Sequence, residues 1–436
     1  MSANTGGIAW RPTRAHLRAT TLAVAGVVTA VAMHRPDLLV AVAPLVIISC
    51  WAEINRPGAG PALTSSLGRT SLREGEATTA RYAVTCPPGL QDLAVVFSPA
   101  RFIRTRPADG ARTVSVASGQ ERAVVDLTLR VTRWGDQPAG PALVAASSSW
   151  AAYQWGPVTV EARTISALPA AAVFNATAPM PHPLGHVGID RSARPGDGSE
   201  FASIRPFQLG DRLRRIHWPS SLRSQTLNVT STYAEQDSQV LVLVDAANDL
   251  GASEGVDGAA STLDATVRAA TALCEHYIRR GDRVSLRVVG SVTPTVVPTS
   301  TGQQHLRRML AVLSRSRPGG GFAEREVSAR YLIEPGAIVI VCSPLISPII
   351  MQRTLALARR GLTLIAIDTM PDNLVHADDD EYVALAWRIR MLERSVDARR
   401  VAEAGVPVVP WRGPGSLDQV LRDVSRRARA PRLAHR

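Results

Sequence analysis

The chain has no lysine: all 49 of its basic residues are arginines. That absence excludes a Walker A loop, whose Lys reaches the β and γ phosphates, and a Schiff-base enzyme, which needs a Lys amine. Phosphotransfer of the haloacid-dehalogenase type, which relies on a Lys beside its aspartates, is excluded in its usual form as well. Cysteine is scarce. Cys50, Cys86, Cys274 and Cys342 are far apart, lie in apolar runs and form no C-x-x-C pair, so they read as small buried residues; a reducing compartment fits, and so few cysteines permit an oxidising one as well. Aromatics make up only 5%, which offers no stacking surface for bases and argues against a nucleic-acid partner.

What is present is the composition of a folded protein, 45% apolar and 20% charged, with a net charge of +12. At 436 residues it exceeds one ordinary core and predicts two soluble domains plus an anchor.

The anchor is read from two uncharged apolar runs, residues 19–33 and 38–52, separated by His34-Arg35-Pro36-Asp37. Each run is short for a bilayer, so flanking residues must snorkel or the bilayer must thin. Arg11, Arg14 and Arg18 precede the first run and Arg56 and Arg69 follow the second, against Arg35 alone between them. The positive-inside rule then puts both ends in the cytoplasm of a bacterial cell, as a multi-pass membrane protein with cytoplasmic soluble domains. The rivals are a buried helical hairpin and a signal peptide cleaved after Ala30-Val31-Ala32.

Residues 1–56 are thus expected to hold the N-terminal tail and two transmembrane helices. Residues 62–167 follow as a β-sandwich-like domain, with alternating apolar segments Ala80–Thr85, Leu93–Phe97, Thr113–Val116, Val124–Val131 and Val158–Ala162. Turn signals at Pro87-Pro88-Gly89, Asp109-Gly110 and Gly135-Asp136 separate them, and Trp134, Trp150 and Trp155 are expected in the core. Residues 168–236 form a linker and a charged segment.

Residues 237–430 alternate strand and helix, which predicts a doubly wound α/β domain. The strands are Gln239–Asp245, Val284–Val289, Thr295–Val297, Ala337–Cys342, Leu362–Asp368 and Val406–Val409. The helices are Ser261–Arg280, His305–Ser314, Ser347–Arg360, Glu381–Glu403 and Ser416–Arg427. Ligands of such sheets sit at the strands' carboxyl ends, where Asp245 and Asp368 are expected to face a crevice overhung by the loop 246–258.

The charged segment reads Gly198-Ser199-Glu200-Phe201, Arg205-Pro206-Phe207, Leu209-Gly210-Asp211 and Arg214-Arg215-Ile216-His217-Trp218, followed by a strand ending in Asp245. This ordered spacing resembles the signature of the bacterial domain of unknown function 58 family, whose members combine two membrane segments, a β-sandwich, the signature and a von Willebrand A-like (Rossmann-like) domain. Phe207 stands where tyrosine is common in that family, and Thr230 where an arginine often follows the valine. The resemblance implies a membrane-anchored, non-enzymatic scaffold: an adaptor for a MoxR-class AAA ATPase and an unknown client protein, in complex assembly or maturation at the envelope. The binding residues carried by the signature are Glu200, Phe201, Arg205, Gly210, Asp211, Arg214, Arg215 and Trp218. Read physically, its acids and arginines, with Arg212 among them, form either an ion-pair network against the α/β domain around anchoring Phe201, Phe207 and Trp218, or a docking surface.

Other chemistry is thinner. A metal-binding von Willebrand A domain carries D-x-S-x-S; here Asp245-Ala246-Ala247-Asn248-Asp249 keeps Asp245 and Asp249, but Ala247 offers no oxygen. Ser343-Pro344 stands where a further acid is expected, and Thr299 or Thr301 matches the threonine only loosely. The pattern implies no cofactor, at most a weak Mg²⁺ site. The alternative to the scaffold is accordingly a metal-dependent hydrolase or adhesion module on Asp245, Asp249 and Asp368. Gly251-Ala252-Ser253-Glu254-Gly255 matches a nucleophile elbow but begins too far beyond its strand. His182 and His186 flank Pro183 and Gly185 and cannot share a helix face, and His217 is expected to bond a carboxylate or carbonyl. The arginine-rich tail 426–436 reads first as a solvated tail, ahead of weak attraction to anionic membrane lipid or binding to nucleic acid.

Overall fold

The computed structural model describes residues 8–117, 119–170, 195–208, 211–233, 239–319, 333, 337–360, 362–372, 374 and 381–412. The chain divides into two compact units, Met1–Ala170 with Glu254–Gly258, and Ala171–Ser253 with Ala259–Arg436.

The first unit opens with β1 (Arg11–Pro12) and two helices, α1 (Arg14–Ala32) and α2 (Pro36–Ile54), each of 19 residues. At about 1.5 Å per residue each is long enough to cross the hydrocarbon core of a bilayer. The apolar runs are therefore lengthened by their flanks, because Thr13 caps α1 (His16 N–H to Thr13 Oγ1, 3.2 Å) and Pro36 starts α2. Only Ala23 and Ala30 of α1 and Ala52 of α2 are buried, while Leu22, Val28, Val40 and Ile47 are exposed. A buried hairpin would hide those side chains. Small residues bring the two helices together: a Cβ at Gly26 would lie 2.5 Å from Val42 Cγ2.

Eleven further strands complete this unit: β2 (Leu63–Leu67), β3 (Ser71–Arg73), β4 (Ala77–Thr85), β5 (Leu90–Phe97), β6 (Ile103–Arg106), β7 (Ala111–Ser115), β8 (Arg122–Val131), β9 (Gly135–Ala139), β10 (Ala142–Ser148), β11 (Tyr153–Val160) and β12 (Arg163–Leu168). They form sheets β1-β11-β10-β5-β7, β2-β4-β8-β6 and β3-β12-β9, a β-sandwich. Period-2 burial drives the packing: in β8, Ala123, Val125, Leu127, Leu129 and Val131 are buried while Arg122, Val124 and Thr128 face out. Gly135-Asp136, expected as a turn, begins β9, since the ladder to β12 uses Gly135 to Ala139. Trp155 and Trp134 are core residues, but Trp150 is exposed on a 3-10 turn with a positive φ of 57°.

In the second unit a hairpin of β13 (Pro195–Pro206) and β14 (Asn228–Tyr233) encloses the short α3 (Trp218–Ser224). The α/β region follows with β15 (Gln239–Asp245), α4 (Thr262–Arg279), β16 (Arg283–Val289), β17 (Thr295–Ser300), α5 (Gln303–Leu313), β18 (Ile338–Ser343), α6 (Pro348–Arg359), β19 (Thr363–Asp368), α7 (Glu381–Glu403) and β20 (Val408–Pro410). Its sheet runs β17-β16-β15-β18-β19-β20, with β17 antiparallel and the rest parallel. Leu241 and Leu243 meet Ile350, Met351 and Val401 from α6 and α7 on one face, and α4 covers the other. A capping box, Ser261 with Asp264, starts α4, and Gly281 at φ +87° follows its end. The helix expected at Ser416–Arg427, His182, His186 and the tail 426–436 lie outside the described residues.

Candidate functional site

The signature is built around one polar knot. Ser221 Oγ accepts from Asn228 N–H (2.9 Å) and sits 3.0 Å from His217 O and 3.3 Å from Asn228 O. His217 N–H donates to Asn228 O at 2.8 Å, and Ile216 bridges to Val229. His217 Nδ1 accepts from Ser220 N–H at 3.3 Å, capping α3. The expected carboxylate or carbonyl partner is thus replaced by a backbone amide, because Pro219 just inside the helix leaves the first turn's donors for a side chain to take.

Arg205 and Asp211 form a bidentate ion pair, Nη1 to Oδ2 at 2.8 Å and Nη2 to Oδ1 at 2.7 Å, with Gln208 N–H adding 2.9 Å to Oδ2. The Arg205 fork, then that amide, holds the Asp211 carboxyl below the usual carboxylate range, and Asp211 in turn raises the guanidinium. Arg215 also lies close enough to favour the charged aspartate. The pair is local to the signature, closing the turn between β13 and α3.

Trp218 does not anchor: it is 59% exposed, with Leu213 at 71% and Leu222 at 76%. It sits at the first turn of a helix only seven residues long, in which Ser221 is the one buried residue. Arg212, Arg214 and Arg223 are exposed beside these side chains in sequence, and Phe207 is half-buried. Glu200 and Phe201 belong to β13, but their side chains, and Gly210 altogether, lie outside the described residues.

The second candidate is the carboxyl edge of the parallel sheet. β16 and β18 flank β15 on opposite sides, so the strand order reverses there. Asp245 is only 2% exposed. Its Oδ2 accepts from Ser343 Oγ at 2.6 Å, its Oδ1 from Ala247 N–H at 3.1 Å, and Ser343 Oγ also accepts from Leu345 N–H at 2.9 Å. Burial pushes the Asp245 carboxyl up, partly opposed by Ser343 and the Ala247 amide.

The other metal candidates are used elsewhere. Asp249 Oδ1 accepts from Leu263 N–H (3.2 Å) at the start of α4. Asp368, expected to face the crevice, pairs with Arg394 of α7 and accepts from Met370 N–H. Thr299 sits on the edge strand β17, bonded to Gln239 Nε2 at 2.6 Å, and Thr301 is exposed just beyond it. Among the described residues no three His, Cys, Asp or Glu side chains are grouped to hold a metal. With both Asp245 oxygens engaged and Asp249 capping a helix, this donor set does not fit an octahedral cation. Nor is there an elbow at Ser253, which is buried in a loop between β15 and α4. The stretch Glu254–Gly258 of that loop belongs to the first unit, where Asp257 takes a bidentate pair from Arg130 (2.6 and 3.1 Å) and Val256 N–H donates to Thr132 O.

A hydroxyl pair was not legible beforehand. Thr266 donates to Thr262 O (2.8 Å), so Thr369 is the donor in the 2.6 Å contact between the Thr266 and Thr369 hydroxyls, both fully buried. Thr262 and Thr266, four apart on one helix face, were the available signal. Cys274 and Cys342 are buried, with burial pushing both thiols up, whereas Cys86 is half-buried and Cys50 is exposed on α2.

The class of protein is thus an α/β domain bearing a signature hairpin, preceded by a β-sandwich and two helices apolar and long enough to cross a membrane. Residues 203–374 match the family described as protein of unknown function DUF58. Uncharacterized proteins of Mycobacterium bovis and of Mycobacterium tuberculosis strains CDC 1551 and H37Rv are each 27% identical over 192 residues. The match covers 42% of this chain and 59% of theirs, so the chain spans less than two thirds of those relatives. A solved structure, the cupredoxin domain of amoB from Nitrosocaldus yellowstonii, aligns with 26% of this chain and 88% of its own at 11% identity. Its TM-score of 0.16 does not define a shared fold.

Proposed function

We propose that this protein is a membrane-anchored, non-enzymatic scaffold of the bacterial envelope whose signature hairpin docks a partner protein. The observation that carries the reading is the exposure of Trp218, Leu213 and Leu222 within a short stretch that also holds Arg212, Arg214 and Arg223. Exposed Trp and Arg side by side are the residue types that concentrate binding energy at protein interfaces. The knot at Ser221 and the Arg205–Asp211 pair hold the stretch in shape, which limits the entropy lost on docking. The partner fitted to it is acidic with an apolar pocket, and the family resemblance makes a MoxR-class AAA ATPase the candidate, with a client protein beyond it. The α/β region is read as von Willebrand A-like without its metal.

The anchor reading has its own support. Thr13 at the start of α1 bonds to Ala151 and Ala152, β1 pairs with β11, and Glu53 near the end of α2 bonds to Tyr153. Both ends of the hairpin meet the same edge of the sandwich, which supports a reading with both on one side of a membrane. The arginines flanking the hairpin make that side the cytoplasm.

The test is capture of a purified MoxR-class ATPase by the full-length chain in detergent. Trp218→Ala should weaken capture about tenfold, the loss of one interfacial anchor, and leave thermal unfolding unchanged. Capture that Trp218→Ala leaves intact, or a hydrolytic activity of the purified chain that Ser253→Ala or Asp245→Ala abolishes, overturns the reading.

A further inference from the structure

Helix α7 (Glu381–Glu403) carries apolar side chains on its outer face as well as its inner one. Its inward face is mixed: Val401 and Ala398 pack on the core and Trp387 and Met391 are half-buried, while Arg394 Nε donates to Pro344 O at 2.7 Å, its guanidinium pairs with Asp368, and Arg390 donates to Ile346 O and to Glu393. Only Val401, near the helix end, is fully buried. The apolar side chains Tyr382, Leu385, Ile389, Leu392 and Val396 face outward, with exposures from 38% at Val396 to 82% at Tyr382.

Their spacing is 3, 4, 3, 4, the a/d pattern of a coiled-coil seam. Assigning Ile389 and Val396 to a puts Leu385 and Leu392 at d. β-branched residues at a with leucine at d favour a parallel two-stranded pair. The flanking charges agree. Arg388 then occupies g and Glu393 the following e′, the two positions that face each other across a parallel dimer, and both are exposed. Two-fold symmetry provides the contact twice.

From this we infer that α7 is a dimerisation helix: the seam Tyr382–Val396 pairs in parallel with the same seam of a second copy of this chain, in register through Arg388 and Glu393. The seam is under three heptads, too short to fold as an isolated coiled coil. Here the helix is already formed on its domain, so pairing bears only the cost of docking.

The experiment uses the full-length chain in detergent micelles, with sedimentation reporting mass and circular dichroism reporting fold. The wild type should be a dimer at micromolar concentration. In a chain with Cys50→Ser and Cys86→Ser, Val396→Cys should form a disulfide-linked dimer under mild oxidation, whereas Ala356→Cys, exposed on α6, should not. An antiparallel pair would set Val396 against Tyr382 and leave Val396→Cys unlinked. Arg388→Glu and Glu393→Arg should each raise the dimer dissociation constant about tenfold, and the double variant should restore it to within about twofold. A monomeric wild type, a dimer in which Val396→Cys does not link, or single charge variants of full affinity overturns the inference. A monomer that dimerises only after residues 413–436 are deleted overturns it too, by showing that the chain's own C-terminal segment covers the seam.

Discussion

Asp211 in the signature hairpin and Asp245 at the end of β15 are the same side chain placed in two kinds of surroundings. Asp211 is half-exposed and held by a guanidinium fork and an amide, so its charged form is favoured. Asp245 is sealed under the sheet edge with a hydroxyl and an amide but no cation, so its neutral form is favoured. The difference separates a charge used to shape an exposed segment from a polar group used to tie two central strands together. It also explains why a sheet-edge aspartate, the usual mark of a ligand crevice in this kind of fold, does not supply a free carboxylate here.

The contrast breaks most strongly at Ser343. Ser343→Ala removes the donor to Asp245 and the acceptor for Leu345 N–H and should cost about 1 to 3 kcal/mol, read by denaturant unfolding at neutral pH. A loss below about 0.5 kcal/mol would mean that water reaches the carboxylate as it reaches Asp211.

Replacing each aspartate by asparagine should give opposite pH profiles. Burial raises the Asp245 carboxyl in the folded state above the ordinary value of about 3.9, so its contribution is full below that pH and lost as pH rises through the folded value. Asp245→Asn should therefore lack that decline, so its stability relative to the wild type should rise with pH, on top of a constant loss because the amide keeps only one of the two acceptors that Ser343 Oγ and Ala247 N–H use. Asp211 runs the other way. Its contribution is present above about pH 3.9 and is lost as pH falls through its depressed folded value, so Asp211→Asn should lower the thermal midpoint at pH 7 and match the wild type in strong acid. Parallel profiles for the two variants would erase the distinction.

The smallest effect is expected from Arg205→Lys. It keeps the charge but loses the fork, so one of the two bonds to Asp211 goes. Carboxyl NMR of the full-length chain should show Asp211 titrating closer to its ordinary range, with little change in unfolding. A titration identical to the wild type would assign the depression to the Gln208 amide and Arg215 instead.

Much of the scaffold was legible as periodicity. Alternation along residues 124–131 identified the core face of β8, apolar spacing from Leu263 to Ile278 identified α4, and the residue order from Gly198 to Trp218 identified the family. Strands such as β3, β6 and β9 were missed because they are short and polar, and they are strands only through the neighbours that accept their backbone bonds. Glu381–Glu403 was legible as a helix to the residue, yet which face it presents was not. Arg390 and Arg394 turn inward because carbonyls at Pro344 and Ile346 and the carboxylate of Asp368 await them, partners 26 to 50 residues away.

By itself, then, the sequence determined the element types, the two apolar helices, the missing lysine chemistry and the signature, because periodicity and residue type are local properties. Only the tertiary structure decided that Asp245 is tied to Ser343, that Trp218 is exposed, that Thr266 meets Thr369 and that the apolar seam of α7 faces out. Each of those depends on what distant parts of the chain place beside the residue, and burial and hydrogen bonding are decided there.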